Sequence, residues 1–194
     1  MMGQMNVLKR TEFGNPILRQ KARQVAVTDI GSKTIQALID DMRHTLVDKK
    51  LGVGLAAPQV GQSLAIIVVA LRPSEYRPST KPFDLVLINP EITDYIGRRK
   101  SMWEGCISSG RGGKADLFGK TLRHPEVKVR YYDQAGKQQH QTYTGLKAQV
   151  VQHEVDHLHG MLFVDRVKDP KTYMTFNEYI KMVKQYLKQH PEAR

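Results

Sequence analysis

His153-Glu154-Val155-Asp156-His157 sets two imidazoles and a carboxylate within a single short stretch. On a helix, positions four apart share a face, so His153 and His157 can hold one metal ion between them. Glu154 then lies beside that metal, where a base acting on water belongs. His-Glu-x-x-His is the pattern of metal-assisted amide hydrolysis. With 7 His in 194 residues, chance supplies it about 0.01 times per chain. Leu146, Gln149, Val150, His153 and His157 keep helical spacing on a largely apolar face. An imidazole buried there without a partner would be costly, which favours a bound metal over a solvated pair of histidines. Gly145 precedes this helix and Gly160 ends it.

Two histidines do not complete a catalytic site, which needs a third protein ligand and an open position. Downstream of His157 the candidates are His159, Asp165, Asp169, Glu178, His190 and Glu192, none in an obvious ligand context. Upstream stands the only cysteine, Cys106, in Glu104-Gly105-Cys106-Ile107-Ser108. A lone cysteine is most often a small buried hydrophobe. Here a metal is short of one ligand, and Gly105 lets the backbone approach closely just before the thiol. Thiolate with two imidazoles suits Zn(II) or Fe(II). The third element is Gly52-Val53-Gly54-Leu55-Ala56-Ala57-Pro58-Gln59. Its small residues leave room for a ligand, and Gln59 offers a side-chain N–H donor; alone, a Gly-x-Gly is weak, since it also reads as a helix stop and turn.

Together these stretches resemble the peptide deformylase family. That family is marked by Gly-Φ-Gly-Φ-Ala-Ala-x-Gln, Glu-Gly-Cys-Φ-Ser and Gln-His-Glu-Φ-Asp-His, where Φ is apolar. The chain fills every fixed position, in that order, at 52–59, 104–108 and 152–157. Phe13-Gly14-Asn15-Pro16-Ile17-Leu18-Arg19 is also similar to the family's N-terminal segment, and the likeness spans roughly 6–170. The resemblance implies Cys106, His153 and His157 as metal ligands and Glu154 as acid/base. It implies Gln59 and the Ile107 N–H as oxyanion donors. Gly54 would bind the peptide backbone, and Val53, Glu104, Leu146 and Val150 would surround the pocket for the substrate's methionine. It further implies Fe(II) in the cell, with Zn(II), Ni(II) or Co(II) in purified protein.

Three features depart from the pattern. Ser108-Ser109-Gly110-Arg111-Gly112-Gly113-Lys114 replaces a proline-containing continuation. The stretch to Val127 is longer than in compact bacterial members, and Gln149 takes a position that is often apolar. With three glycines and no proline, 109–119 is expected to be a mobile loop.

The chain carries 30 Lys+Arg against 19 Asp+Glu, a formal charge of +11, with a pI near 9.8. Such a balance suits a polyanionic neighbour or general solubility. No aromatic-basic interleaving marks a nucleic-acid sheet, and specific DNA binding is not expected. The ribosome surface is the expected neighbour of an enzyme acting on nascent chains. The longest apolar run, 64–71, is far short of a membrane span. No signal-peptide core opens the chain, and one cysteine permits no internal disulfide, so a reducing, cytoplasmic compartment of bacterial type or an organelle fits.

Residues 1–194 are expected to form one catalytic domain. The periodicity predicts an irregular basic arm over 6–23, then a helix capped by Ser32 or Asp29 bearing Ile35, Leu38, Ile39, Met42 and Leu46, with Gly52 past its end. Strands are predicted at 64–71, 85–88, 126–132 and from about 137 to Thr144; 72–83 is a polar loop. A C-terminal amphipathic helix at about 171–189 carries Lys181, Lys184 and Lys188. The class is α+β: antiparallel strands packed around a central helix that carries the metal motif, with the C-terminal helix added.

The expected activity is removal of the N-formyl group from the methionine of new polypeptides. Two rivals stand. A zinc endopeptidase would need a downstream third ligand and would tolerate loss of Cys106. A basic RNA- or ribosome-binding protein with a structural metal would need neither Glu154 nor Gln59.

Overall fold

The computed structural model describes residues 5–48, 52–110 and 115–193. In chain order the main elements begin with α1 (Lys33–Asp48), β1 (Gly54–Ala56), β2 (Ile66–Leu71), β3 (Phe83–Ile96) and β4 (Lys100–Gly105). They continue with β5 (Leu117–Arg123), β6 (Glu126–Tyr132), β7 (Gln138–Thr144) and α2 (Gly145–Leu158). A short α3 (Phe163–Arg166), the two-residue β8 (Met174–Thr175) and α4 (Phe176–Gln189) close the chain.

β1-β2-β3-β6-β7 form one antiparallel sheet and β4-β5-β8 a second. The α+β expectation holds, with α2 at the centre. β2 is buried along its whole length because its two faces meet different helices. Ile67, Val69 and Leu71 pack with Val150, Val151, Val155 and Leu158 of α2. Ile66, Val68 and Ala70 pack with Ile35, Ile39, Met42 and Leu46 of α1. Each buried Val, Leu, Ile or Met among them contributes roughly 1.5–3 kcal/mol relative to exposure. That two-sided burial is why the strand reads as an unbroken apolar run rather than an alternation.

Ser32, not Asp29, caps α1: the Ile35 N–H donates to Ser32 Oγ at 3.3 Å. The C-terminal helix begins five residues later than expected, at Phe176, because the segment before it forms a turn at Pro170–Thr172 and then β8.

The sequence pattern misplaces several strands. β3 continues through Asn89-Pro90 to Ile96, although that dipeptide reads as a stop. Asn89 sits at φ 52°, in a register break between Ile88 and Glu91. Its side chain replaces strand pairing by accepting from the Val25 N–H at 2.8 Å and donating to the Val25 carbonyl at 2.7 Å. β4 and β5 were not anticipated. The inward positions of β5 are Gly119, Thr121 and Arg123, so no apolar alternation betrays it. The expected mobile loop over 109–119 is corrected accordingly: 117–119 pair with β4 and β8, while 111–114 lie outside the described residues.

α2 stops where Gly160 adopts φ 72°. A Cβ there would lie 2.6 Å from the Arg19 carbonyl oxygen. We predict that Gly160→Ala costs roughly 1–3 kcal/mol, from left-handed strain plus the clash. Denaturant unfolding should show an earlier midpoint; an unchanged midpoint contradicts the packing described.

Candidate active site

Buried α2 carries His153, Glu154 and His157, and the first two line one cavity. Cys106 follows β4 directly and opens the turn Ile107–Ser109. Gln59 comes from the turn Ala57–Val60 that follows β1. The structure thus brings three separate motifs to one point. The ligand atoms of Cys106, His153 and His157 all lie within 4.8 Å of one another, and all three residues are buried. Cys106 Sγ is 3.3 Å from His157 Nε2. The downstream candidates do not join them. His159 Nδ1 meets the Val155 carbonyl, Asp165 pairs with Arg19, and Glu178 pairs with Lys181.

Two buried atoms in this cluster have no hydrogen-bond partner among the described residues: Glu154 Oε2 and His157 Nδ1. Burial pushes the Glu154 carboxyl up to about 7, the neighbouring His153 opposing the rise. Burial also holds His157 well below the ordinary imidazole range, as a neutral ligand requires. At His153 burial works the same way, but hydrogen bonds to Cys106 and Glu104 outweigh it and favour positive charge at that ring. A soft thiol, two imidazoles and a partnerless carboxylate in one buried cluster fit a divalent metal ion.

Behind the histidines lies an ion network that the sequence pattern does not reveal. Arg123 Nε and Nη2 donate to Glu104 at 2.7 and 2.9 Å, and its Nη1 donates to Asp156 at 2.6 Å. Arg166 donates to both Asp156 oxygens, at 3.0 and 2.6 Å. Glu104 in turn meets His153 Nδ1 at 3.1 Å, which turns Nε2 of that ring toward the cluster. Burial alone would raise the Glu104 carboxyl, but His153 and Arg123 hold it well below the ordinary carboxylate range. The sequence signals were Glu104 in the cysteine motif and Asp156 inside the histidine motif.

The Gln59 amide is oriented from its other end. The Ala56 N–H donates to Oε1 at 2.8 Å, so Nε2 faces Cys106 Sγ at 3.4 Å and Ser108 Oγ at 3.2 Å. The N-terminal arm braces both turns. The Thr11 N–H donates to the Gln59 carbonyl at 2.8 Å, and the Phe13 N–H to the Ser108 carbonyl at 2.9 Å. Arg10 donates to the Ile107 carbonyl.

A cavity of about 200 Å³ opens onto the cluster. Val53, Gly54, Glu104, Ile107, Leu146 and Val150 all line it. Gln149 lines it too, with its Nε2 donating to the Trp103 carbonyl at 2.8 Å. The sequence did not foretell the far wall, where Trp103 and Phe118 meet Tyr179 of α4. Phe118 and Tyr179 stack with centroids 4.0 Å apart and planes 8° from parallel.

Such a donor set with an adjacent carboxylate, opening on a mostly apolar cavity, defines a metallohydrolase-type centre. The polypeptide deformylase family model matches residues 7–173. The chain is 41% identical over 173 residues to peptide deformylase 2 of Nostoc sp., covering 89% of this chain and 92% of that one. It is 38% identical to peptide deformylase 1A, chloroplastic/mitochondrial, of Arabidopsis thaliana, covering 84% of this chain and 61% of the relative. Among solved structures, the Met-Ala-Ser-bound class I type b peptide deformylase of Acinetobacter baumannii superposes with a TM-score of 0.78 at 35% identity. That match covers 84% of this chain and 100% of the other. The chain belongs to the polypeptide deformylase family.

Arg123→Leu would leave Glu104 and Asp156 buried and short of their shared cation. Breaking such a pair typically costs about 3–5 kcal/mol, a fall in Tm on the order of 10 °C for a chain this size. Glu104 titrates lower folded than unfolded. Its contribution is therefore present above the unfolded value of about 4.3 and fades as pH falls below it. The variant should show both a lower Tm near neutrality and a shallower loss of stability below about pH 4. Thermal unfolding across a pH series measures both.

Proposed function

We propose that this protein removes the N-formyl group from the N-terminal methionine of newly made polypeptides and releases formate. The convergence of Cys106, His153 and His157, with Glu154 beside them, is the observation that carries this reading. Cys106, His153 and His157 would hold the divalent ion: Fe(II) in the cell, with Zn(II), Ni(II) or Co(II) acceptable in purified protein. When bound, that ion supplies Lewis acidity and makes water a nucleophile near neutral pH.

The chain's own groups supply the rest. Glu154, raised toward neutrality by burial, accepts the attacking water's proton and returns it to the amine as the C–N bond breaks. Gln59 Nε2 and the Ile107 N–H donate to the developing oxyanion. Losing one such donor typically costs about 2.7–4 kcal/mol of barrier. Gly54, on the outer strand of its sheet, offers a backbone edge to the peptide. Val53, Leu146 and Val150 take the methionine side chain, with Glu104 fixing His153 behind them.

The whole chain is read as one catalytic domain. Its substrate is the formyl-Met nascent peptide, and its basic surface, including the exposed lysines of α4, suits a ribosome surface. No helix of the described residues is long and apolar enough to cross a membrane. A cytoplasmic setting, or an organelle of bacterial descent, accords with this.

Two variants test the roles. Cys106→Ser should lose both bound metal and formate release from a formyl-Met peptide. A variant that kept full metal and turnover would revive the endopeptidase alternative. Glu154→Ala should keep its metal, measured by elemental analysis, while turnover falls roughly 10²–10⁴-fold. If the metal leaves with the activity, Glu154 is a ligand rather than the proton carrier.

A further inference from the structure

The cavity wall carries a charge that the chemistry above leaves unused. Arg77, in the segment between β2 and β3, lines the same cavity as Gly54, Cys106 and His153. Its Nε is buried and has no hydrogen-bond partner among the described residues. Nor does a carboxylate among those residues pair with it. Glu75 is taken by Lys184 at 2.7 Å, and Asp84 is gripped by Arg72 through both oxygens, at 2.7 and 2.8 Å. Burial lowers the Arg77 pKa, and the one titratable group opposing that is Tyr179 of α4.

The segment is held in place. Backbone hydrogen bonds run both ways between Ser74 and Arg77, at 3.2 and 3.0 Å. Tyr76 packs edge-on against Phe176 of α4, with centroids 6.4 Å apart. An uncompensated, largely buried guanidinium on a braced turn is costly in the free protein. A ligand that brings a carboxylate recovers that cost, because the planar fork matches a carboxylate with two parallel hydrogen bonds.

The position indicates which part of the substrate is met. Arg77 also lines an adjoining hollow with Gly52 and Ser74. β1 is an outer strand, so a peptide laid along Gly54 would pass Gly52 and come to Arg77 beyond its first residue. We propose that Arg77 is a substrate-binding residue that takes a carboxylate carried by the formylated peptide just past its methionine. The proposal rests on the deformylase reading of the site. Two sources offer this chemistry: an acidic side chain at the second or third residue, or the terminal carboxylate of a short peptide.

The test measures kcat/KM for formate release at physiological ionic strength on paired peptides. One pair, with amidated C-termini, is formyl-Met-Asp against formyl-Met-Asn. The other is formyl-Met-Ala as free acid against its amide. In the unaltered protein the carboxylate member of one or both pairs should be preferred roughly 10-fold or more, and the preferring pair identifies the source. In Arg77→Met that ratio should fall to near 1, and in Arg77→Glu it should invert. Each ratio is internal to one variant, so a general loss of stability does not mimic the result. Equal rates within both pairs in the unaltered protein overturn the proposal, as does a preference that survives in Arg77→Met. Absence of formate release from every peptide overturns the deformylase reading itself and the subsite with it.

Discussion

The Arg123 guanidinium, buried between Glu104 and Asp156, is the interaction on which the rest of the site depends. Glu104 lies on β4 in the small sheet, and Asp156 lies on α2 between the two histidines. One side chain on β5 therefore ties the strand that leads to Cys106 to the helix that bears His153 and His157. A thiol and two imidazoles from distant parts of the chain must meet within a few ångströms, and this pair of ion bridges fixes their separation. Glu104 then carries the constraint forward by orienting His153. Buried ion pairs are weak evidence for stability gained, but they are strong constraints on geometry once the charges are inside. Here the desolvated charge holds Cys106, His153 and His157 in one cluster.

The same network explains the charge state of the cavity. Asp156 is satisfied by Arg123 and Arg166, and Glu104 by Arg123 and His153. What remains uncompensated is Glu154, with one buried oxygen lacking a partner among the described residues, beside a cysteine and two histidines that could hold a metal ion. A cation at the Cys106, His153 and His157 cluster balances that carboxylate.

Much of this was legible in the sequence, and the limits have physical causes. The metal helix, the strand at 64–71 and the α1 stripe follow from hydrophobic period and capping residues. The three motifs named the residues that meet around the cavity because each carries unusual chemistry at close spacing. Arg123 was not legible, since a lone arginine on a strand whose inward positions are Gly119, Thr121 and Arg123 gives no alternation to follow. The arm's bracing of Gln59 and Ser108 uses main-chain N–H groups of Thr11 and Phe13, which any residue would supply. Asn89-Pro90 reads as a strand stop within β3, because the compensating bonds come from Val25, far away in sequence. The aromatic wall from α4 was hidden for a related reason. Its helix has no buried residue, so its pattern reads as a surface helix, and only the register of β5 with β8 places Tyr179 over Phe118.

The motif glycines carry a further lesson about how the site is built. Neither Gly54 nor Gly105 takes a positive φ, so conformational freedom is not their use. A Cβ on Gly54 would lie 2.3 Å from Glu154 Oε1, so β1 could not pass as close to that carboxylate with any side chain there. A Cβ on Gly105 would lie 2.6 Å from the Phe118 ring, the ring on which Tyr179 stacks. One glycine thus lets the outer strand β1 sit against the buried Glu154 carboxylate. The other lets the strand before Cys106 press against the aromatic side of the pocket. Both are places where a missing side chain sets a distance, and each distance joins elements remote in sequence: β1 to α2 in one case, β4 through β5 to α4 in the other. The spacing of Gly52-Val53-Gly54 and Glu104-Gly105-Cys106 is therefore a packing requirement of the whole cavity as much as a local motif.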